Sequence, residues 1–162
     1  MKTKRTTTPP ARPRLLLALE TATDVCAVAL LDLDSGRVVA EFALRKAQQH
    51  GAKLVPLVDA ALTMLDATPQ DLHAVAVSAG PGSYTGLRIG ASTAKGYGAA
   101  LGLPLVPVPT LDAIALGALA AVAEGEELLV ALPSRRGEVY AGLYTRDDDR
   151  LVVEQPATPL AV

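Results

Sequence analysis

The sequence predicts an α/β fold: a mixed sheet with helices packed on it. Short apolar segments at residues 14–20, 25–32 and 37–44 follow one another with tight turns between them, and read as an antiparallel meander. Beyond them, amphipathic stretches with helical spacing alternate with short apolar runs, the pattern of β-α-β units. Between one such run and one such helix lies a glycine-dense segment, residues 78–102, with seven of the thirteen glycines.

Each element has its own justification. Residues 14–20 and 25–32 are apolar enough for buried strands, Asp34-Ser35-Gly36 is a turn, and 37–44 alternates as a strand near an edge does. Residues 52–66 place Leu54, Val55, Leu57, Val58, Ala61, Leu62 and Leu65 on one helical face, with Pro56 expected in the first turn. Residues 74–77 (AVAV) read as a buried strand, and Gly80-Pro81-Gly82 then breaks regular structure. In the helix that follows, Gly86, Gly90, Ala94, Gly98 and Gly102 recur every fourth residue and form a stripe of small side chains. Each glycine costs a helix about 1 kcal/mol relative to alanine, so a backbone built this way is expected to approach another element very closely. Residues 105–108 form a short strand, and Thr110 is expected to cap a helix reaching about residue 123. Strands at 127–132 and 139–145 complete the order βββαβαβαββ, and 151–154 reads as a last short strand before a proline-containing tail.

Composition narrows the function. The chain of 162 residues carries no Trp and one Phe, so its core is aliphatic and alanine-rich. The single cysteine, Cys26, excludes an intrachain disulfide and a cysteine zinc cluster, and its apolar run makes it a core residue. No apolar run approaches the about 20 residues of a membrane span, and a cytoplasmic location is expected. Five of the fifteen Lys and Arg lie within residues 1–14 with no acid among them; the rest carries ten bases against seventeen acids, a net charge of −7. Residues 1–13 are expected to be a disordered basic tail. An acidic body is a poor footprint for nucleic acid, so any RNA contact is expected to be indirect.

The glycine turn is where phosphate would be sought, because free N–H groups and a helix dipole favour anions there. The specific signatures are missing: Leu87 and Arg88 follow Gly86 where a P-loop has Lys and Ser or Thr, and Gly82 and Gly86 are spaced wrongly for the dinucleotide fingerprint. Ser83, Thr85 and Arg88 are the natural contacts if an anion binds; the alternative is a tight structural turn. His50 and His73 have Leu54 and Val77 four residues on, so no metal site is expected. Ser83 lies outside a Gly-x-Ser-x-Gly elbow and would need a histidine brought by folding to act as a nucleophile.

The segments LLALETATDVCAVALLD, HGAKLVPLVDAAL, AVAVSAGPGSYTGLRIGASTAKGYGAALGLPLVPVPTLDAIA and SRRGEVYAGLY resemble the tRNA threonylcarbamoyladenosine biosynthesis protein family TsaB, once labelled glycoprotease-like. The resemblance covers residues 15–144. It implies an actin-like, ribonuclease H-like fold, here as a single amino-terminal lobe over residues 14–162 with the second lobe largely absent. It also implies a non-catalytic scaffold that dimerises with and activates TsaD, the subunit that transfers threonylcarbamoyl to adenosine in tRNA. Thr110 and Ile114 stand where TsaD has its metal-binding histidines. Homodimers, or pairs with TsaD, are implied to form through the helices at 52–66 and 85–101, with Leu54, Leu57, Val58, Ala61, Leu65, Gly86, Gly90, Ala94 and Gly98 as the interface. The ATPase TsaE is implied as a third component with ATP or ADP at the junction, and no cofactor is expected on this chain alone. The sequence departs from the family at Glu20, usually Asp, and at Pro133-Ser134-Arg135, often Asp-Ala-Arg. The rival readings are an independent actin-like ATPase or phosphotransferase and a peptidase.

Overall fold

A computed structural model describes residues 12–45 and 50–161. The expected basic tail at 1–13 lies almost wholly outside them. The elements are β1 (Leu15–Glu20), β2 (Val25–Asp32), β3 (Arg37–Arg45), α1 (His50–Met64), β4 (Leu72–Ser78), α2 (Tyr84–Leu101), β5 (Leu105–Val108), α3 (Thr110–Ala118), β6 (Glu127–Pro133), β7 (Glu138–Asp147) and β8 (Arg150–Ala161). Short 3-10 turns at Pro69–Asp71 and Leu119–Ala121 join them.

The first five strands form one sheet in the order β3-β2-β1-β4-β5, antiparallel across the meander and parallel from β1 to β4 to β5. This is the mixed sheet of an actin-like, ribonuclease H-like fold. Alternation along β1 and β2 sends Leu15, Leu17, Leu19, Cys26, Val28 and Leu30 to one face, where α1 and α2 cover them. Burial holds the Cys26 thiol above its ordinary pKa, with the Glu20 charge a smaller cause, which fits an inert core thiol. The opposite face is floored by Ala18, Ala27, Ala29 and Ala76.

The expectation of one sheet fails after α3. Strands β6, β7 and β8 form a separate antiparallel sheet in that order. The reason is packing: α3 places Leu111 and Ala115 against Val130 and Tyr144, a small second core. Tyr144 is fully buried there and donates its hydroxyl proton to Asp112 at 2.8 Å.

Other elements differ in detail. β8 runs from Arg150 to Ala161, well past the expected 151–154, because Pro156 and Pro159 lie on an edge strand paired only with β7. Pro56 lies inside α1, not in its first turn, because the helix already begins at His50; Pro56 faces solvent, where the lost backbone bond is least damaging. Thr110 does not cap α3: Pro109 holds the cap position, and the Thr110 side chain is buried with its hydroxyl unpartnered. The α3 helix ends at Ala118, and a 3-10 turn takes over.

Candidate functional site

The site is built where the β1–β2 hairpin meets the glycine turn. The chain leaves β1 at Glu20 and turns back at once, which leaves backbone N–H groups of the loop without strand partners. Glu20 supplies them: its Oε1 accepts from the N–H of Ala22 at 2.7 Å and of Thr23 at 3.1 Å. Its Oε2 accepts from the hydroxyl of Ser78 at the end of β4. The one-carbon-longer acid at this position therefore folds back onto its own loop and ties β1 to β4.

The glycine segment fits around that hairpin. The Ser83 N–H donates to Ala22 O at 2.7 Å, and the Gly80 carbonyl accepts from the Thr110 N–H at 2.9 Å. A Cβ on Gly86 would overlap the Thr21 carbonyl, and one on Gly90 would overlap the Thr21 hydroxyl oxygen. A Cβ on Gly98 would lie 3.0 Å from the Leu105 side chain of β5. The close approach read from the spacing is real, and its partner is the protein's own hairpin and sheet. Ser83 caps α2 through its Oγ, which accepts from the Gly86 N–H at 3.2 Å, and Gly102 closes the helix with a left-handed φ of 69°.

This placement turns most of the expected interface residues inward. Leu54 is 1% exposed, and Val58, Ala61 and Ala94 are 0% exposed. Gly86 and Gly90 are buried, and Leu57 and Leu65 are half-buried against the same core. Leu54, Val58, Ala61 and Ala94 have no surface left for a second chain, while Leu57, Leu65 and Gly98 keep part of theirs. The outward faces of α1 and α2 carry a different set: Val55, Thr93, Gly96, Tyr97 and Ala100 line an apolar hollow of about 330 Å³. A Cβ on Gly96 would meet nothing within 4 Å. Burial, and then the Asp59 charge, raise the Tyr97 pKa, so its phenol is neutral at physiological pH. The signal was in the sequence: Gly96 and Ala100 form a second four-residue repeat, offset from the first.

A polar cleft of about 510 Å³ opens between the amino-terminal ends of α1 and α2, lined by Thr23, Asp24, His50, Ser83, Thr85 and Gly86 among others. Arg88 stands in an adjoining hollow that shares Gly51, Thr85 and Ile89 with it, and its guanidinium lies 5.6 Å from the Tyr84 ring centroid. Ser83, Thr85 and Arg88, expected as anion contacts, thus share one surface. Folding places His50 in the lining of the same cleft as Ser83, which sequence reasoning missed. No hydrogen bond joins His50 to Ser83 or Asp24, so the relay of a hydrolytic triad is not assembled. Among the described residues there is no cluster of three or more His, Cys, Asp or Glu that suits a metal ion, and no helix long and apolar enough to cross a membrane.

The meander, the glycine-linked β4–α2 unit and the sheet order define an actin-like, ribonuclease H-like fold. The family model TsaD: tRNA N6-adenosine threonylcarbamoyltransferase matches residues 37–158, and the chain belongs to that family. Several curated relatives carry the name read from the motifs. The tRNA threonylcarbamoyladenosine biosynthesis protein TsaB of Escherichia coli K12 is 38% identical over 134 residues, covering 83% of this chain and 56% of that protein. The Bacillus subtilis protein of the same name is 37% identical, covering 80% and 54%. The solved structure of YeaZ from Pseudomonas aeruginosa superposes with a TM-score of 0.82 at 30% identity, covering 91% of this chain and 67% of that one. The chain spans little more than half the length of the curated relatives it matches.

Proposed function

We propose that the chain is a non-catalytic scaffold subunit of tRNA threonylcarbamoyladenosine formation, which pairs with and activates the transferase TsaD. The observation that carries this reading is the outward face of α1 and α2. It offers small and aromatic side chains, Gly96, Ala100 and Tyr97, around an apolar hollow without a charged lining residue. Two helices can approach closely over such a surface, and a buried tyrosine is a strong anchor at an interface. The same face serves a homodimer when TsaD is absent. TsaE, with ATP or ADP at the junction, joins the assembled pair, and tRNA is met through TsaD. The relatives' names support the pathway, and the family supports the pairing of similar folds.

The geometry gives less support to an independent ATPase. The hairpin N–H groups that would face a phosphate are engaged by Glu20. It gives less to a peptidase, because the Ser83 hydroxyl serves as a helix cap and no hydrogen bond joins it to His50. The test is a pull-down of the full 162-residue chain with TsaD and TsaE, followed by the reconstituted tRNA modification assay. The reading requires capture of TsaD and stimulation of its transferase activity. Calorimetry with ATP and magnesium that showed tight binding and turnover by this chain alone would refute it.

A further inference from the structure

We infer that the outward face of α1 and α2 takes a second copy of this chain antiparallel, with Arg88 of each copy level with Asp59 of the other. The inference rests on the docking face proposed above and adds its orientation and the two residues that set it. The helices start at the same end. A Cβ on Gly51 would lie 3.7 Å from Ile89 Cδ1, Val55 lines a hollow with Thr93 and Tyr97, and the Asp59 charge acts on the Tyr97 phenol. Successive turns of α1 thus lie beside successive turns of α2, and the two helices run parallel.

Opposite charges stand at the two ends of this face. Gly51, Val55 and Asp59 share one stripe of α1, and Arg88, Ser92, Gly96 and Ala100 share one stripe of α2. Arg88 lines the hollow at the Gly51 end, which meets the apolar hollow at Thr93. Asp59 lies about 12 Å further along α1 than Gly51, with the exposed Val55 between them. Arg88 and Asp59 are both exposed, and among the described residues neither is in an ion pair. Lys53 and Lys95, the other exposed charges of the two helices, line neither hollow. A twofold dimer sets the same patch against itself. In a parallel pair Arg88 comes level with Arg88 and Asp59 with Asp59, and like charges at one level oppose docking. In an antiparallel pair centred on Val55 and Thr93, each Arg88 comes level with the Asp59 of the other copy, twice per dimer.

The test is sedimentation equilibrium of the full chain, with and without added salt. Arg88→Glu and Asp59→Arg should each weaken self-association about tenfold, because each turns two attractive pairs repulsive. Added salt should weaken association of the parent and strengthen that of the single variants. Arg88→Glu combined with Asp59→Arg restores opposite charges in the antiparallel pair and should associate like the parent; a parallel pair would keep like charges at both levels. Circular dichroism should be unchanged throughout, since both residues are exposed. Single reversals without effect, or a combined variant as weak as the single ones, would overturn the inference. If Gly96→Arg abolishes association while the reversals do nothing, the docking face stands and this orientation fails. A parent chain that stays monomeric also overturns the inference, and capture of TsaD by that chain distinguishes its failure from failure of the pairing proposed above.

Discussion

The two faces of α2 are built from similar residues and do opposite things. Inward, Gly86, Gly90 and Ala94 are small because the hairpin at Thr21 and the sheet stand directly against the helix backbone. Outward, Gly96 and Ala100 are small with nothing against them in this chain. A small residue on a helix is therefore no sign of an interface by itself. What distinguishes the faces is whether the space a side chain would occupy is already filled, and that depends on which way the sheet lies.

Substitutions can break or sharpen this contrast. The largest effect is expected from Gly86→Ala. The added methyl meets a backbone carbonyl that cannot rotate away, and about 3 kcal/mol of stability should be lost, read as the urea midpoint. Leu54→Ala, on the α1 side of the same core, should cost about 2–3 kcal/mol by leaving a cavity under the helices. The second sheet provides a milder comparison. Tyr144→Phe removes the hydroxyl that Asp112 accepts and should cost about 1 kcal/mol.

That tyrosine also predicts a pH effect. Burial first, and then Asp112, raise its pKa above the ordinary value of 10.0. Its contribution is fully present below the unfolded-state pKa of about 10, and is lost as pH rises from there toward the folded value, because the unfolded chain ionises first. Stability measured at increasing alkaline pH should fall in the parent protein, and fall less in Tyr144→Phe. The smallest effect has the opposite sign to the first: Gly96→Ala should stabilise by up to about 1 kcal/mol, helix propensity gained with no clash.

Much of the fold was legible. Tight turns and apolar runs marked β1 to β3, and the Gly80-Pro81-Gly82 break marked the entry to α2. The separation of β6 to β8 was not legible, because adjacent strands in sequence do not say which sheet they join; Tyr144 and α3 decide it through packing. At the site, the unusual closeness implied by Gly86 and Gly90 was readable, and its partner was not, since Thr21 is far away in sequence and carries no marker of the contact. The role of Glu20 was hidden for a related reason. An acid that ends a strand looks like the edge of a turn until its two oxygens are seen to hold Ala22, Thr23 and Ser78. His50 entered only when α1 and α2 were laid side by side.

The central claim is that the outward face of α1 and α2 is where a partner docks. Gly96→Arg tests it most directly, because Gly96 has free space around it and the substitution should leave stability within about 0.5 kcal/mol. Capture of TsaD and light scattering of the chain alone should both show lost association while circular dichroism stays unchanged. A Gly96→Arg protein that pairs as tightly as its parent would contradict the claim and place the interface elsewhere on the molecule.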